Sequence, residues 1–122
     1  MSRKPFVVWS VDGTDYKLKL TTQGITKLEE KFKTNLMNLM GGDDMPALKN
    51  MLIVTHEALQ KYHHGIKLND VYDMFDQYVE AGGSQTDFMT NVFIQIYQVS
   101  GFLSEKMGEE MDEKLEEAQQ TK

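Results

Sequence analysis

The most informative absence in this sequence of 122 residues is cysteine, which does not occur at all. Without cysteine the protein has no disulfide framework, no thiolate zinc site and no cysteine nucleophile. Long apolar runs are missing too, since the run from Phe6 to Trp9 is broken at once by Ser10 and Asp12. A membrane-spanning helix needs roughly 18 apolar residues in a row. We therefore expect a soluble protein of a reducing cytoplasm, with no membrane partner and no export signal.

Positive charge is also in short supply. The sequence has 13 basic and 19 acidic residues, a formal net charge of -6, and its lysines form no long stripe. Binding to nucleic acid requires a basic surface that neutralises phosphates. We therefore expect no nucleic-acid partner. The remaining composition, 40% hydrophobic and 26% charged, is enough to support one packed core.

A β-hairpin is predicted over residues 6–20, with its turn next to Gly13. One possible turn pairs Trp9 with Tyr16, and a turn one residue later pairs Trp9 with Leu18. These two registers differ by two residues, so the same apolar side chains share one face in both. The sequence therefore predicts the buried face of the hairpin and leaves its register open. That face should pack on helices, because an isolated hairpin is barely stable in water.

Four main helices are predicted after the hairpin, because apolar residues recur at three- and four-residue spacing. Thr21 or Thr22 can cap the first helix, and the second helix runs to Gly65. Asn69 is predicted to cap the third helix and Ser84 the last. The predicted core cluster consists of Trp9, Leu18, Leu28, Leu52, Leu59, Phe75, Val92 and Ile96.

The domain organisation follows from a change in composition near the C-terminus. Residues 1–104 are predicted to form a single α+β domain, in which the N-terminal hairpin packs on a mainly helical body of four to five helices. Residues 105–122 contain seven acidic and three basic side chains, and their apolar residues form only a thin stripe. This segment is predicted to be an acidic C-terminal tail, mobile or partly helical.

The residues that could carry chemistry do not form a recognisable constellation. His56 and His63 lie seven residues apart on one predicted helix face with His64 adjacent, but a zinc site needs three or four convergent ligands. Asp70, Asp73 and Asp76 are spaced three residues apart, which is typical of the solvated face of a helix and is not the ligand spacing of a calcium-binding loop. The glycine pairs Gly41-Gly42 and Gly82-Gly83 do not have the spacing of phosphate-binding loops. We expect no enzymatic activity, no catalytic residues, no metal and no cofactor.

Methionine is unusually frequent, with nine residues in the sequence. Its flexible thioether fills gaps in cores and also suits binding surfaces that accept varied apolar partners. Several methionines lie in the glycine-broken linker between the first and second helices, or in the acidic tail, where they do not join a regular helix face. The predicted partner-binding residues are Leu36, Met37, Leu39, Met40 and Met45 of the linker, together with Phe102 and Met107.

The order of these elements resembles a known family. A strand ending in residues 16–22 leads into a helix containing Leu28-Glu29-Glu30, followed by Asn35-Leu36-x-x-Leu39 and three further helices. This order is similar to that of the tail assembly chaperones encoded beside the tape measure protein in siphophages and prophages, and to tail components of gene transfer agents. The resemblance covers roughly residues 10–105 and rests on element order and apolar positions.

The resemblance implies a function in tail assembly in the host cytoplasm. A chaperone of this family would bind apolar helical segments of the tape measure protein and keep them soluble. The resemblance leaves two questions open: whether the tail tube protein is a second partner, and whether the chain associates with itself. The alternative is a structural virion component of the head-tail connector or tail-terminator type. The family is not known for catalysis, so the resemblance implies no catalytic residues.

Overall fold

The computed structural model of the chain describes residues 4–40, 45–102 and 105–120. It has the predicted α+β fold, in which an N-terminal antiparallel hairpin precedes a series of helices. The elements are β1 (Val7–Val11), β2 (Thr14–Leu18), α1 (Thr22–Phe32), a 3-10 turn (Leu36–Leu39), α2 (Leu48–Leu59), α3 (Leu68–Glu80), α4 (Gln85–Phe88), a π turn (Met89–Phe93), α5 (Ile94–Val99) and α6 (Glu105–Gln120).

The hairpin adopts the first of the two registers that the sequence left open. Trp9 pairs with Tyr16, and the two turn residues Asp12 and Gly13 have φ angles of 49° and 80°. Positive φ at both positions is the geometry of a type I′ turn, whose twist matches that of the strands. Burial alternates along β1, so its odd-numbered residues face the helices as predicted.

The outer edge of β2 determines where α2 ends. The main-chain N–H of Lys19 donates to the carbonyl of Ala58 at 3.0 Å, and the N–H of Lys17 donates to Nε2 of His63 at 3.0 Å. The Ala58 carbonyl therefore accepts from the strand instead of from the next helical turn. Helix α2 ends one residue later, so the prediction that it runs to Gly65 is wrong.

Two of the predicted helix caps are confirmed and one is wrong. The side chains of Thr21 and Ser84 each accept a hydrogen bond from the main-chain N–H three residues further on, at the starts of α1 and α4. Helix α3 begins before Asn69. At its start the carboxylate of Asp70 accepts from the N–H of Lys67 at 2.8 Å, which gives this aspartate a structural role.

The core lies between the inner face of the hairpin and the helices. All eight residues of the predicted core cluster are buried, which confirms that cluster. Part of the core is aromatic. The rings of four residues make edge-to-face or tilted contacts, and the ring centroids of Trp9 and Phe88 are 5.1 Å apart. These four residues are Trp9, Phe75, Tyr78 and Phe88. Each aromatic pair adds about 0.5–1.5 kcal/mol beyond the area that it buries.

The last predicted long helix is divided into three parts. Helix α4, the π turn and α5 follow one another without a break, so we name residues 85–99 together the segmented helix. A π turn adds a residue to a helical turn and shifts the side chains that follow it. Val92 and Phe93 in the π turn and Ile96 in α5 are nevertheless all buried.

Candidate partner-binding surface

The linker between α1 and α2 is ordered around Leu36. Asn35 caps the 3-10 turn, because its side-chain oxygen accepts from the N–H of Met37 at 2.9 Å. Leu36 has 0% of its surface exposed and belongs to the core cluster. Leu36 therefore offers a partner no accessible surface, and we remove it from the predicted binding residues.

Two hydrogen bonds from outside the 3-10 turn hold the main chain of Leu36. Its N–H donates to Oε2 of Glu29 at 3.0 Å, and its carbonyl accepts from the hydroxyl of Tyr97 at 2.7 Å. The turn is thus attached both to α1 and to α5. Burial of the Tyr97 hydroxyl, and then the nearby charge of Glu29, raise the pKa of Tyr97 well above its ordinary value. Tyr97 is therefore a neutral donor across the physiological range.

Phe102 also contacts Tyr97, the residue that binds the Leu36 carbonyl. Gly101 has a φ of +90°, a conformation that glycine adopts without strain and that ends α5. The chain reverses there, and the N–H of Phe102 donates to the carbonyl of Tyr97 at 3.3 Å. The ring of Phe102 lies 4.8 Å from the ring of Tyr97. The structure therefore joins the linker and Phe102, which are distant in sequence, through one buried tyrosine.

The side chains next to this junction are half-buried and apolar. Met37, Leu39 and Met40 of the 3-10 turn region pack against the core with part of their surface accessible, and Phe102 does the same. We call these four residues the Tyr97 surface. A half-buried apolar side chain held on a rigid support can contact a partner at a small entropic cost. The Tyr97 surface therefore retains four of the seven predicted partner-binding residues.

The other two predicted residues are more exposed. Met45 has 42% of its surface accessible, and Met107 on α6 has 53%. Residues 41–44, which precede Met45, lie outside the described part of the chain. The side chains of Met111 and Leu115, predicted to continue the apolar stripe of Met107, lie outside it as well. Helix α6 itself spans Glu105–Gln120, so the backbone of the acidic tail is helical over these residues.

A cleft lies where α3 ends and the segmented helix begins, and sequence reasoning missed it. The cleft has a volume of about 620 Å³. Val79 lies at helical spacing from the buried residues of α3, but it is exposed because the last turn of α3 forms the wall of this cleft. The burial of Tyr78, and then the charge of Asp87, raise the pKa of Tyr78. The lining residues are Phe75, Asp76, Val79, Glu80, Gly83, Ser84 and Gln85.

Two of the three histidine side chains are engaged in local structure. His63 accepts from β2 as described above, and Nδ1 of His64 lies 2.6 Å from the carbonyl of Gln60, just past the end of α2. Among the residues that the structure describes, no group of three or more His, Asp or Glu side chains is placed to hold a metal ion. Over the same residues, none of the helices has both the length and the apolar character needed to span a membrane.

Comparison with known proteins identifies a family. Residues 7–121 match a family of unknown function, DUF6096. The chain belongs to this family. The region shared with DUF6096 includes the hairpin, the Tyr97 surface and all of α6, so every predicted binding residue lies inside it. Neither the curated proteins nor the solved structures contain a significant match to the chain.

Proposed function

We propose that this protein is a tail assembly chaperone of a siphophage or prophage. It binds apolar helical segments of the tape measure protein in the host cytoplasm and keeps them soluble until the tail tube encloses them. The observation that carries the proposal is the Tyr97 surface, where flexible thioethers and one aromatic ring lie half-exposed on a support held by one buried and one partly buried hydrogen bond.

The chemistry of this surface suits an apolar helix. Met37 and Met40 have unbranched side chains that adapt to ridges of different shape, and Leu39 and Phe102 add apolar area. A helix binds such a surface through residues spaced three and four apart. Because the surface recognises apolar character more than one sequence, a chaperone could use it on several segments of a long partner.

The charge distribution suits the same role. The chain carries a formal net charge of -6, and the described acidic side chains of α6, such as Glu109, Glu113 and Glu117, are exposed. Charge of one sign keeps a complex soluble by repelling other complexes. The protein therefore combines an apolar binding surface with an acidic helix that counteracts aggregation.

The proposal is tested by co-expression with the tape measure protein of the same phage or prophage. We expect the wild-type chain to keep the tape measure protein in the soluble fraction and to co-purify with it. The double variant Met37→Glu/Met40→Glu should reduce the co-purified tape measure protein at least about tenfold, because charge is costly to bury in an apolar interface. Tyr72→Glu is the matched control, since Tyr72 is an exposed apolar residue on α3.

The outcomes separate the proposal from its rivals. Equal loss with Tyr72→Glu would point to nonspecific charge repulsion, and full retention by the double variant would exclude the Tyr97 surface. Thermal unfolding of each variant shows whether the fold is kept. Mass spectrometry of purified virions gives an independent test, because a chaperone leaves the finished particle. A stoichiometric amount of the chain in virions would favour a structural component.

A further inference from the structure

Two aromatic rings and two lysines meet on the surface between the hairpin and the end of α2. The rings of Phe6 and Tyr62 make an edge-to-face contact at 5.7 Å. Nζ of Lys17 lies 5.0 Å from the centre of the Phe6 ring and 5.8 Å from that of Tyr62, and Nζ of Lys61 lies 5.7 Å from the Tyr62 ring. We name these four residues the lysine–aromatic patch. The hydrogen bond from Lys17 to His63 supports it, because it joins β2 to the segment that follows α2.

The patch is accessible, and its positive charge is not neutralised. Both lysines are exposed, and Tyr62 has 36% of its surface accessible. Val8 lies opposite Lys17 in the hairpin, is 47% exposed and extends the apolar surface. In the described part of the chain, neither Lys17 nor Lys61 forms a salt bridge. On a protein of net charge -6, this local combination of cations and apolar rings suits an acidic amphipathic partner.

Helix α6 has the complementary properties. It spans Glu105–Gln120 and packs extensively against none of the other elements that the structure describes in its own chain. An isolated helix of about this length is only marginally stable in water. Its apolar residues recur every four positions from Met107, and Glu110 and Glu117 border that stripe on one side. Both carboxylates are exposed, and over the described residues neither forms a salt bridge.

We infer that α6 of a second copy of this chain binds the lysine–aromatic patch, and that two copies exchange these helices around a two-fold axis. The apolar stripe of α6 then covers the two rings, while Glu110 and Glu117 meet the two lysines. The spacing of the charges fits. Seven residues separate the two glutamates by about 10.5 Å along the helix. The two ammonium groups lie 5.8 and 5.7 Å from the same ring centre, so they are at most about twice that distance apart.

The properties of the chain itself favour a second copy as the occupant. Each copy carries one basic patch and one acidic helix, so a two-fold dimer pairs both features twice. Docking also supplies the tertiary packing that α6 lacks on its own chain. Direct pairing of two α6 helices is unfavourable, because residues 105–122 carry seven acidic and only three basic side chains. This self-association goes beyond the proposed chaperone function and does not depend on it.

Charge exchange between the two surfaces gives the test, and sedimentation of the full chain measures it. The wild type should form a concentration-dependent dimer. The patch variant is Lys17→Glu/Lys61→Glu, and the helix variant is Glu110→Lys/Glu117→Lys. Like charges face each other when either variant pairs with itself, so each alone should dimerise at least about tenfold more weakly. An equimolar mixture should form a heterodimer, because every acidic surface then meets a basic one.

Matched controls keep the charge change and move it away from the proposed interface. Glu109→Lys/Glu116→Lys has the same spacing as the helix variant but lies on the side of α6 opposite the apolar stripe. Lys31→Glu/Lys49→Glu changes two exposed lysines outside the patch. Both controls should dimerise within about threefold of the wild type, because exposed charges outside an interface contribute little to affinity.

Three results would overturn the inference. The first is a wild-type chain that stays monomeric up to several hundred micromolar. The second is a dimer that the patch and helix variants weaken no more than their controls do, and the third is a mixture of the two variants that forms no heterodimer. If a double variant does not fold, the single substitutions Lys61→Glu and Glu117→Lys replace it in the same comparison. None of these measurements involves the tape measure protein, so the chaperone proposal can succeed or fail separately.

Discussion

The hydroxyl of Tyr97 donates a hydrogen bond of 2.7 Å to the carbonyl of Leu36, 61 residues earlier in the chain. The bond is buried, and it connects the last part of the segmented helix to the linker that follows α1. Burial makes the bond valuable, because the Tyr97 hydroxyl would otherwise lose water without gaining an acceptor. This one contact attaches the linker to Tyr97, whose ring also packs against Phe102.

Tyr97→Phe should destabilise the protein by about 1–3 kcal/mol. The substitution keeps the ring contacts with Phe93 and Phe102 but removes the hydroxyl that donates to the buried Leu36 carbonyl. Urea unfolding followed by circular dichroism measures the change. Tyr16→Phe is the control, because Tyr16 is half-buried and its ring packs on His63. Equal losses in both variants would contradict the importance of the Leu36 bond.

The contribution of the Tyr97 hydroxyl should disappear at high pH. The folded state raises the pKa of Tyr97 above its ordinary value of 10.0, so above that pH the unfolded chain loses this proton first. Stability from the neutral hydroxyl is thus fully present below pH 10.0 and falls as the pH rises further. We expect the stability difference between wild type and Tyr97→Phe to shrink between neutral pH and pH 11. A constant difference would contradict this linkage.

The sequence predicted the parts of the fold that depend on local periodicity. Alternation along β1 and helical spacing elsewhere identified the core cluster, and Ser84 was recognised as a cap. The burial of Leu36 could not be predicted, because its buried hydrogen-bond partner Tyr97 comes from an element 61 residues further along the chain. A linker leucine beside methionines has no local pattern that distinguishes an anchor in the core from an exposed contact.

The end of α2 and the cleft beside Val79 were missed for a related reason. The apolar spacing of α2 continues past Ala58, and only the bond from Lys19 of β2 shows that the helix stops there. Val79 likewise fits the inner stripe of α3, but the core does not extend to the last turn of that helix. In both cases tertiary contacts override a correct local pattern.

Gly83→Ala should destabilise the junction between α3 and α4 by about 1–3 kcal/mol. A Cβ atom at Gly83 would lie 2.5 Å from the ring of Tyr78, which packs against Trp9 and Phe88 and so cannot move freely. Gly65→Ala is the matched control, because a Cβ there meets no atom within 4 Å. The control should be neutral or slightly stabilising. Thermal unfolding of the two variants measures the difference in stability. Equal midpoints would contradict a clash between the added Cβ atom and the ring of Tyr78.

Removal of residues 105–122 should leave the α+β domain folded while reducing its ability to keep a partner soluble. The deleted segment carries seven acidic and three basic side chains and includes the exposed Met107, whereas the core cluster ends at Val99. The truncated chain should therefore unfold cooperatively, with a thermal midpoint within a few degrees of the wild type. The amount of soluble tape measure protein in co-expression should nevertheless fall, because each chain in the complex loses a net charge of -4. A variant in which glutamine replaces Glu109, Glu113 and Glu117 separates charge from helix and should reproduce part of that loss. If the truncated chain loses its cooperative transition, the tail belongs to the folded domain and its deletion cannot report on solubility.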